Sequence, residues 1–193
     1  MRAAREGWER QYRSGGWDYL ASESEAGHYL AIAQLCEHYL RDCSLLDIGC
    51  GTGILVGHLQ RHAAMAPSRY TGIDFAQEAI DQAEASCPGA RFSRLDYSTE
   101  PVSGRYDGVI FNETLYCFDD PLAMVDKCLA DNMHAGSLLI VSMYGDHHEA
   151  LWDALASTCD TLDERLVEND SGVRWKIRAL LPRVATPHRP APA

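Results

Sequence analysis

Residues 49–53 read Gly-Cys-Gly-Thr-Gly and follow directly on the run Leu45, Leu46, Asp47, Ile48. Glycines at alternate positions after a buried strand permit a tight turn and let backbone N–H groups come close to a ligand. The spacing differs from two well-known phosphate loops. A dinucleotide loop reads G-x-G-x-x-G, and its third glycine position is Ile54 here; the Gly-Lys-Ser/Thr of a P-loop is also absent. The acids indicate what such a loop could hold. Asp47 precedes the glycines, Asp74 stands 21 residues beyond Gly53 at the end of a second strand, and Asp96 ends a third beside Tyr97. Asp74 suits the two hydroxyls of a ribose, and Asp96 suits the amino group of an adenine. Three converging carboxylates repel a pyrophosphate and favour a positively charged ligand. Taken singly, each aspartate could instead cap a helix or end a strand.

A second set of chemically capable residues follows the fourth and fifth strands. Glu113 and Tyr116 lie in Asn112-Glu-Thr-Leu-Tyr-Cys-Phe, and His147 and His148 lie in Tyr144-Gly-Asp-His-His-Glu. Any of the four could act as a base or orient a substrate proton. The bland alternatives are a helix-capping or solvent-facing histidine and a glutamate bonded to backbone. A third set is aromatic. Trp8 and Tyr12 are four apart, the chain breaks at Gly15-Gly16, and Trp17 and Tyr19 follow. They form either a stripe packed on the domain or a lid over a ligand.

These residues need a scaffold, and the hydrophobic periodicity supplies one. Helical spacing covers 26–41, 54–63, 76–87, the segment beginning at 119 and 148–158; strands are expected at 44–49, 69–75, 90–97, 106–113, 137–145, 160–168 and 173–181. Strands alternating with helices predict parallel strands with crossover helices on both faces. The last two strands are joined by Asn169-Asp-Ser-Gly, so a hairpin adds one antiparallel strand. The expected fold is α/β: a Rossmann-like, doubly wound seven-stranded sheet. Residues 1–24 are expected to be a separate aromatic segment, 25–183 one domain, and 184–193 a disordered Pro/Ala-rich tail.

Composition narrows the partners. The 193 residues are 46% hydrophobic and 23% charged, with a formal net charge of −11. Such an acidic chain opposes nucleic-acid binding, and its densest basic run, Arg174 to Arg178, reads as one charged face of a strand. No apolar run suits a membrane span, and the N-terminus lacks the apolar core of a secretory signal. Seven cysteines show no paired two-residue spacing, which predicts reduced, packed thiols, no metal and a cytoplasmic protein.

Leu45–Gly53 closely resembles the first motif of class I S-adenosylmethionine-dependent methyltransferases. Gly72–Ala83 resembles the second, Arg94–Tyr97 the third and Tyr106–Pro121 the fourth. The resemblance implies a sheet whose last strand is antiparallel, S-adenosyl-L-methionine as cofactor and S-adenosyl-L-homocysteine as product. It implies that the backbone at Gly49, Cys50 and Gly51 holds the methionine portion and that Asp74 binds the ribose hydroxyls. Phe75 would stack on the adenine, Asp96 and Tyr97 would hold its edge, and Asn112 would lie beside the sulfonium. The opening Trp8–Tyr19 segment is similar to that of small methyltransferases acting on amines, sugars and natural-product alcohols, where it covers the cofactor. That favours Tyr12, Trp17 and Tyr19 as a lid and puts His28 where many relatives carry an arginine for the cofactor carboxylate.

Glu113, Tyr116 and His147 are the catalytic candidates. The expected activity is methyl transfer to an oxygen or nitrogen of a small molecule, by a monomer or homodimer. The fourth strand lacks the Pro-Pro-aromatic signature of enzymes that methylate DNA bases or protein amides. The chain length leaves little room for a protein-recognition domain. The alternatives are a cofactor-binding protein with other chemistry, or a non-catalytic cofactor sensor.

Overall fold

The computed structural model describes residues 2–183, so the segment read as a disordered tail lies outside the described residues. Helices α1 (Arg2–Arg13) and α2 (Ala26–Tyr39) precede strand β1 (Leu45–Ile48). Then come α3 (Ile54–His62), β2 (Tyr70–Asp74), α4 (Gln77–Ser86), β3 (Arg91–Arg94), β4 (Tyr106–Asn112), α5 (Pro121–Asp131), β5 (Met133–Tyr144), α6 (Glu149–Thr158), β6 (Cys159–Glu168) and β7 (Arg174–Pro182). The strands form one sheet in the order β3-β2-β1-β4-β5-β7-β6. β1 pairs in parallel with β2 and β4, and β7 runs antiparallel to both β5 and β6. The hairpin thus inserts its second strand between β5 and β6.

All four residues of β1 are buried, because helices cover both faces of the sheet. The two-residue period of a strand then divides its side chains between two cores. Leu45 joins Tyr70, Ile110, Ile140 and Ile177 under α2 and α3. Leu46 and Ile48 join Ile73, Val109, Phe111 and Val141 under α5 and α6, where Trp152 and Leu155 complete the layer. The sequence sets some boundaries directly. Asp120 accepts the Ala123 N–H at 3.0 Å and Pro121 fills the first turn, so α5 starts there. β5 starts earlier than its apolar run, because Met133 pairs with Tyr106 across an irregularity in the ladder. β3 ends at Arg94, where the Asp96 turn begins.

In β7, Trp175, Ile177 and Ala179 point into the core. Its outward basic residues are matched to acids: Arg174 to Glu168, Lys176 to Glu149 and Arg178 to Glu164, each at 2.6 Å. The densest basic run is therefore neutralised at the surface. No described helix is long and apolar enough to cross a membrane.

The order of the strands creates the site. From β1 the chain moves outward through β2 and β3, then returns to β4 on the other side of β1. The loops after β1 and β4 diverge and leave a crevice at the carboxyl ends of the strands. Gly72 of β2 supports the floor of that crevice. A Cβ there would lie 2.8 Å from Cys50 Sγ and 2.9 Å from both Cys50 Cβ and Phe92 Cδ1. Gly72→Ala should lower the unfolding free energy in urea by about 1–3 kcal/mol through overpacking. A loss below about 0.5 kcal/mol, within the range of neutral surface changes, would contradict this account of the close approach.

Candidate active site

Gly49, Gly51 and Gly53 all have positive φ, at 80°, 53° and 78°. The close approach expected of them is present: a Cβ on Gly49 would lie 2.3 Å from Thr114 Cγ2, and one on Gly51 would lie 3.2 Å from the Tyr12 phenol oxygen. The expectation that their amides face a ligand is corrected. Gly49 N–H and Cys50 N–H both donate to Ile73 O, at 2.8 and 3.0 Å, and Gly51 N–H donates to Asp74 Oδ2 at 3.1 Å. Three consecutive donors are satisfied inside the protein. The loop presents a Cβ-free surface beside acceptor groups, which suits a cation and not an anion.

The two aspartates of this region differ in role. Asp74 is 6% exposed at the end of β2 and accepts Gly51 N–H and, at 2.9 Å, Ala76 N–H. Burial pushes its pKa up to about 6, against the downward pull of those amides. The Gly51, Ala76 and Phe75 amides all favour its charged form, and an ionised carboxylate with about four lone-pair sites keeps acceptor capacity for ligand hydroxyls. Asp47 is 1% exposed and lies beneath the loop, not in the crevice, so its expected cofactor contact is corrected. One oxygen accepts the Tyr70 hydroxyl at 2.5 Å, the other has no partner, and burial pushes its pKa up to about 7.

A crevice of about 640 Å³ opens beside Asp74, lined by Phe75, Arg94 and Asp96 and roofed by Glu9, Arg10 and Arg13 of α1. Phe75 is half-buried and meets Trp8 edge-on, with ring centroids 6.4 Å apart. Asp96 stands at the rim with its carboxylate holding a turn: it accepts Ser98 Oγ at 2.6 Å and Thr99 Oγ1 at 3.0 Å. Tyr97 is not at the rim. Its ring is buried against Phe111 and Phe118, its hydroxyl donates to Asn132 at 3.0 Å, and Lys127 sits 4.4 Å above it. An aromatic ring next to a strand-end acid belongs here to the opposite face of the sheet.

The N-terminal segment covers the glycine loop. Trp8 stacks on Trp17 at 4.9 Å, and Trp17 lies against Tyr12 and Tyr19. A contact that the sequence did not reveal locks α1 down. Helix α4 has no side-chain cap of its own, and Glu9 supplies one from α1, accepting Gln77 N–H at 2.9 Å and Glu78 N–H at 3.4 Å. Gln82 adds a bond to Tyr12 O at 3.4 Å. Only the distance in sequence concealed this cap, because Glu9 shares a helix with Trp8 and Tyr12. His28 has no place in the site. It is 1% exposed and stacks on Trp175 at 4.9 Å, and burial lowers its pKa to about 3.

The loop after β4 forms the opposite wall. Asn112 Oδ1 is buried with no partner. Glu113 sits at φ 58°, a left-handed conformation that side chains rarely adopt. Its carboxylate accepts Ser142 Oγ at 2.6 Å, Tyr116 Oη at 2.9 Å and Tyr144 N–H at 2.9 Å. With three donors engaged, Glu113 acts as a clamp on this wall and is not a free base. Tyr116 is held protonated, since burial and the Glu113 charge both raise its pKa. His148, not His147, faces Tyr116: the rings stack at 4.5 Å, and His148 Nε2 is buried without a partner. His147 is exposed and lies over Gly145.

Residues 46–136 match the family described as a methyltransferase domain. Two curated relatives match part of the chain: ribosomal protein L11 methyltransferase of Dechloromonas aromatica, 30% identical over 101 residues, and malonyl-[acyl-carrier protein] O-methyltransferase of Acetivibrio thermocellus, 32% identical over 103. Each match covers 52% of this chain, and the chain spans about a third (32% and 35%) of the two relatives. Among solved structures, 1,6-didemethyltoxoflavin-N1-methyltransferase of Burkholderia thailandensis superposes with a TM-score of 0.72 at 18% identity. That match covers 93% of this chain and 87% of the other. This is the class I methyltransferase fold. β1 from Leu46 on, the glycine loop, β2, β4 and Glu113 fall in the residues that match the family model, whereas α1 and the β6–β7 hairpin lie outside them.

Asp47 makes the core of the sheet sensitive to pH. A carboxyl whose folded pKa is raised from 3.8 to about 7 stabilises the fold fully below pH 3.8, and that contribution is lost as pH rises through about 7. Asp47→Asn keeps an acceptor for Tyr70 without the buried charge. Thermal or urea unfolding should show the variant more stable than the parent at pH 8, by roughly 1–3 kcal/mol, with the gap closing towards pH 4. A gap independent of pH would exclude ionised Asp47 as its cause.

Proposed function

We propose that this chain transfers a methyl group from S-adenosylmethionine to an oxygen or nitrogen of a small-molecule acceptor, releasing S-adenosylhomocysteine. One observation carries the reading. At the point where the strand order reverses, the glycine loop uses its own donors internally and leaves the nearly buried Asp74 carboxylate beside its Cβ-free surface, with Asn112 Oδ1, buried and without a partner among the described residues, at the end of the neighbouring β4. A ligand with ribose hydroxyls and positive charge completes this arrangement, whereas a pyrophosphate opposes it.

The residues fit the cofactor. Asp74 would take the ribose hydroxyls, Phe75 and Asp96 would flank the adenine, and the Cβ-free surface at Gly49 and Gly51 would receive the methionine portion, with Asn112 beside it. When bound, S-adenosylmethionine supplies an electrophilic methyl carbon on a sulfonium, whose thioether leaves without needing a proton. The protein's work is alignment and exclusion of water, worth roughly 7–11 kcal/mol in well-oriented systems. Tyr12 and the Trp8–Trp17 stack close the crevice from above. Glu113 fixes Tyr116 at the acceptor side, and His148 is the basic nitrogen nearest to it. Burial and His147 lower the His148 pKa, so the imidazole is neutral and able to accept a proton. A small acceptor is supported by the enclosing lid and by the toxoflavin-precursor enzyme with the same fold. Of the curated relatives, one is named for a protein substrate and the other for a carrier-bound one, so the acceptor class rests on the lid and the acidic chain.

Calorimetric titration with S-adenosylhomocysteine tests the cofactor assignment. The parent should bind, and Asp74→Asn should weaken the affinity at least tenfold, about 1.4 kcal/mol. Absence of heat with the parent overturns the reading, and unchanged affinity in the variant removes Asp74 from the site. A cell extract incubated with protein and cofactor should yield a product heavier by one CH₂ group.

A further inference from the structure

Helix α1 touches the crevice at two points. At one, a Cβ on Gly51 would lie 3.2 Å from the Tyr12 hydroxyl oxygen. At the other, the Trp8 ring meets Phe75 edge-on at 6.4 Å. Trp8 and Tyr12 are one helical turn apart, so one face of α1 spans the path from the glycine loop to the residue that follows Asp74.

The same helix is fastened to α4 beside that path. Glu9, next to Trp8, accepts Gln77 N–H at 2.9 Å with one carboxylate oxygen and Glu78 N–H at 3.4 Å with the other. Gln82 donates to Tyr12 O at 3.4 Å, and Arg13 lies 3.8 Å from the Glu78 carboxylate. The Arg13 pair is exposed and contributes little. The Glu9 contact is of another kind, because it sets an anion on the positive end of α4. The N-cap residue of that helix is Ala76, whose side chain has no acceptor. Ala76 N–H in turn donates to Asp74 at 2.9 Å, so the acid of the crevice and the fastening of α1 are joined through one residue.

Building on the methyltransferase reading, we propose that Glu9 is a latch: its hold on the α4 N-terminus keeps α1 down over the crevice, and its release sets the rate at which S-adenosylmethionine enters and S-adenosylhomocysteine leaves. Glu9 is a positioning residue that acts through α1 and takes no part in methyl transfer. A gate slows entry and exit alike, whereas a residue that only grips the ligand slows exit alone.

Surface plasmon resonance on the immobilised full chain, with S-adenosylhomocysteine as the probe, measures both rates. Glu9→Ala should raise the association and release rate constants about fivefold or more, the range of a lost cap, while their ratio stays within about threefold. A double variant, Glu9→Ala with Ala76→Ser, separates latch from cap. Ala76 has an extended backbone (φ −84°, ψ 118°), and a serine there gives α4 a cap of its own. The double variant should exchange the nucleoside as fast as Glu9→Ala does. Unchanged rates in Glu9→Ala, faster release without faster association, or a return of the double variant to parental rates overturns the proposal. Glu9→Gln keeps an acceptor oxygen without the charge; it should raise both rates at least twofold, and it decides by the same criteria if Glu9→Ala does not fold. Calorimetric heat from the parent reports the cofactor reading separately. A parent that binds no nucleoside overturns both readings, and one that binds at rates indifferent to Glu9 overturns the latch alone.

Discussion

One short stretch of hydrogen bonding governs this molecule: Gly49 and Cys50 N–H on Ile73 O, and Gly51 N–H on Asp74. It ties the turn after β1 to the end of β2, so the glycine loop and Asp74 move as one piece. It also decides the electrostatic character of the crevice. A loop with free amides is an anion site, as in nucleotide-binding sheets. Here the same glycines provide closeness while their donors are used internally, so an anion finds no free amide at Gly49, Cys50 or Gly51.

The rest of the fold serves this arrangement. Burial of β1 on both faces holds the loop's starting point rigid, and Gly72 lets Cys50 and Phe92 close beneath it. Helix α1 is attached by borrowing an unsatisfied helix end: α4 has no side-chain cap of its own, and Glu9 provides it from α1. Displacing α1 would therefore expose two N–H groups of α4, which couples the position of α1 to the helix that follows Asp74. The opposite wall is stiffened by Glu113, whose left-handed backbone is maintained by three side-chain hydrogen bonds. Strain held in place by a network is characteristic of positions that orient a substrate.

Much of the scaffold was legible in the chain. The helix and strand segments follow hydrophobic period, and the Asn169–Gly172 turn marks the hairpin that reverses β7. The site was legible only in part. Asp74 and Asn112 end β2 and β4 as expected, and Phe75 and Asp96 line the crevice. His28 and Tyr97 do not, because a residue's neighbour in sequence says nothing about which face of a helix or sheet it occupies. Asp47 is on the strand itself, and a strand buried on both faces has no side that reaches ligand. The choice between His147 and His148 turned on one ring stacking on Tyr116.

By itself the sequence determined the α/β alternation, the sheet's reversed strand and the glycine loop with its acids, since these depend on local period, turn chemistry and backbone freedom. Tertiary structure decided which loop donors were used internally and which helix capped α4. Those outcomes depend on contacts between segments far apart in the chain, such as Glu9 with Gln77 or Gly49 with Ile73. Burial and hydrogen-bond satisfaction are properties of the packed whole, and no window of sequence contains them.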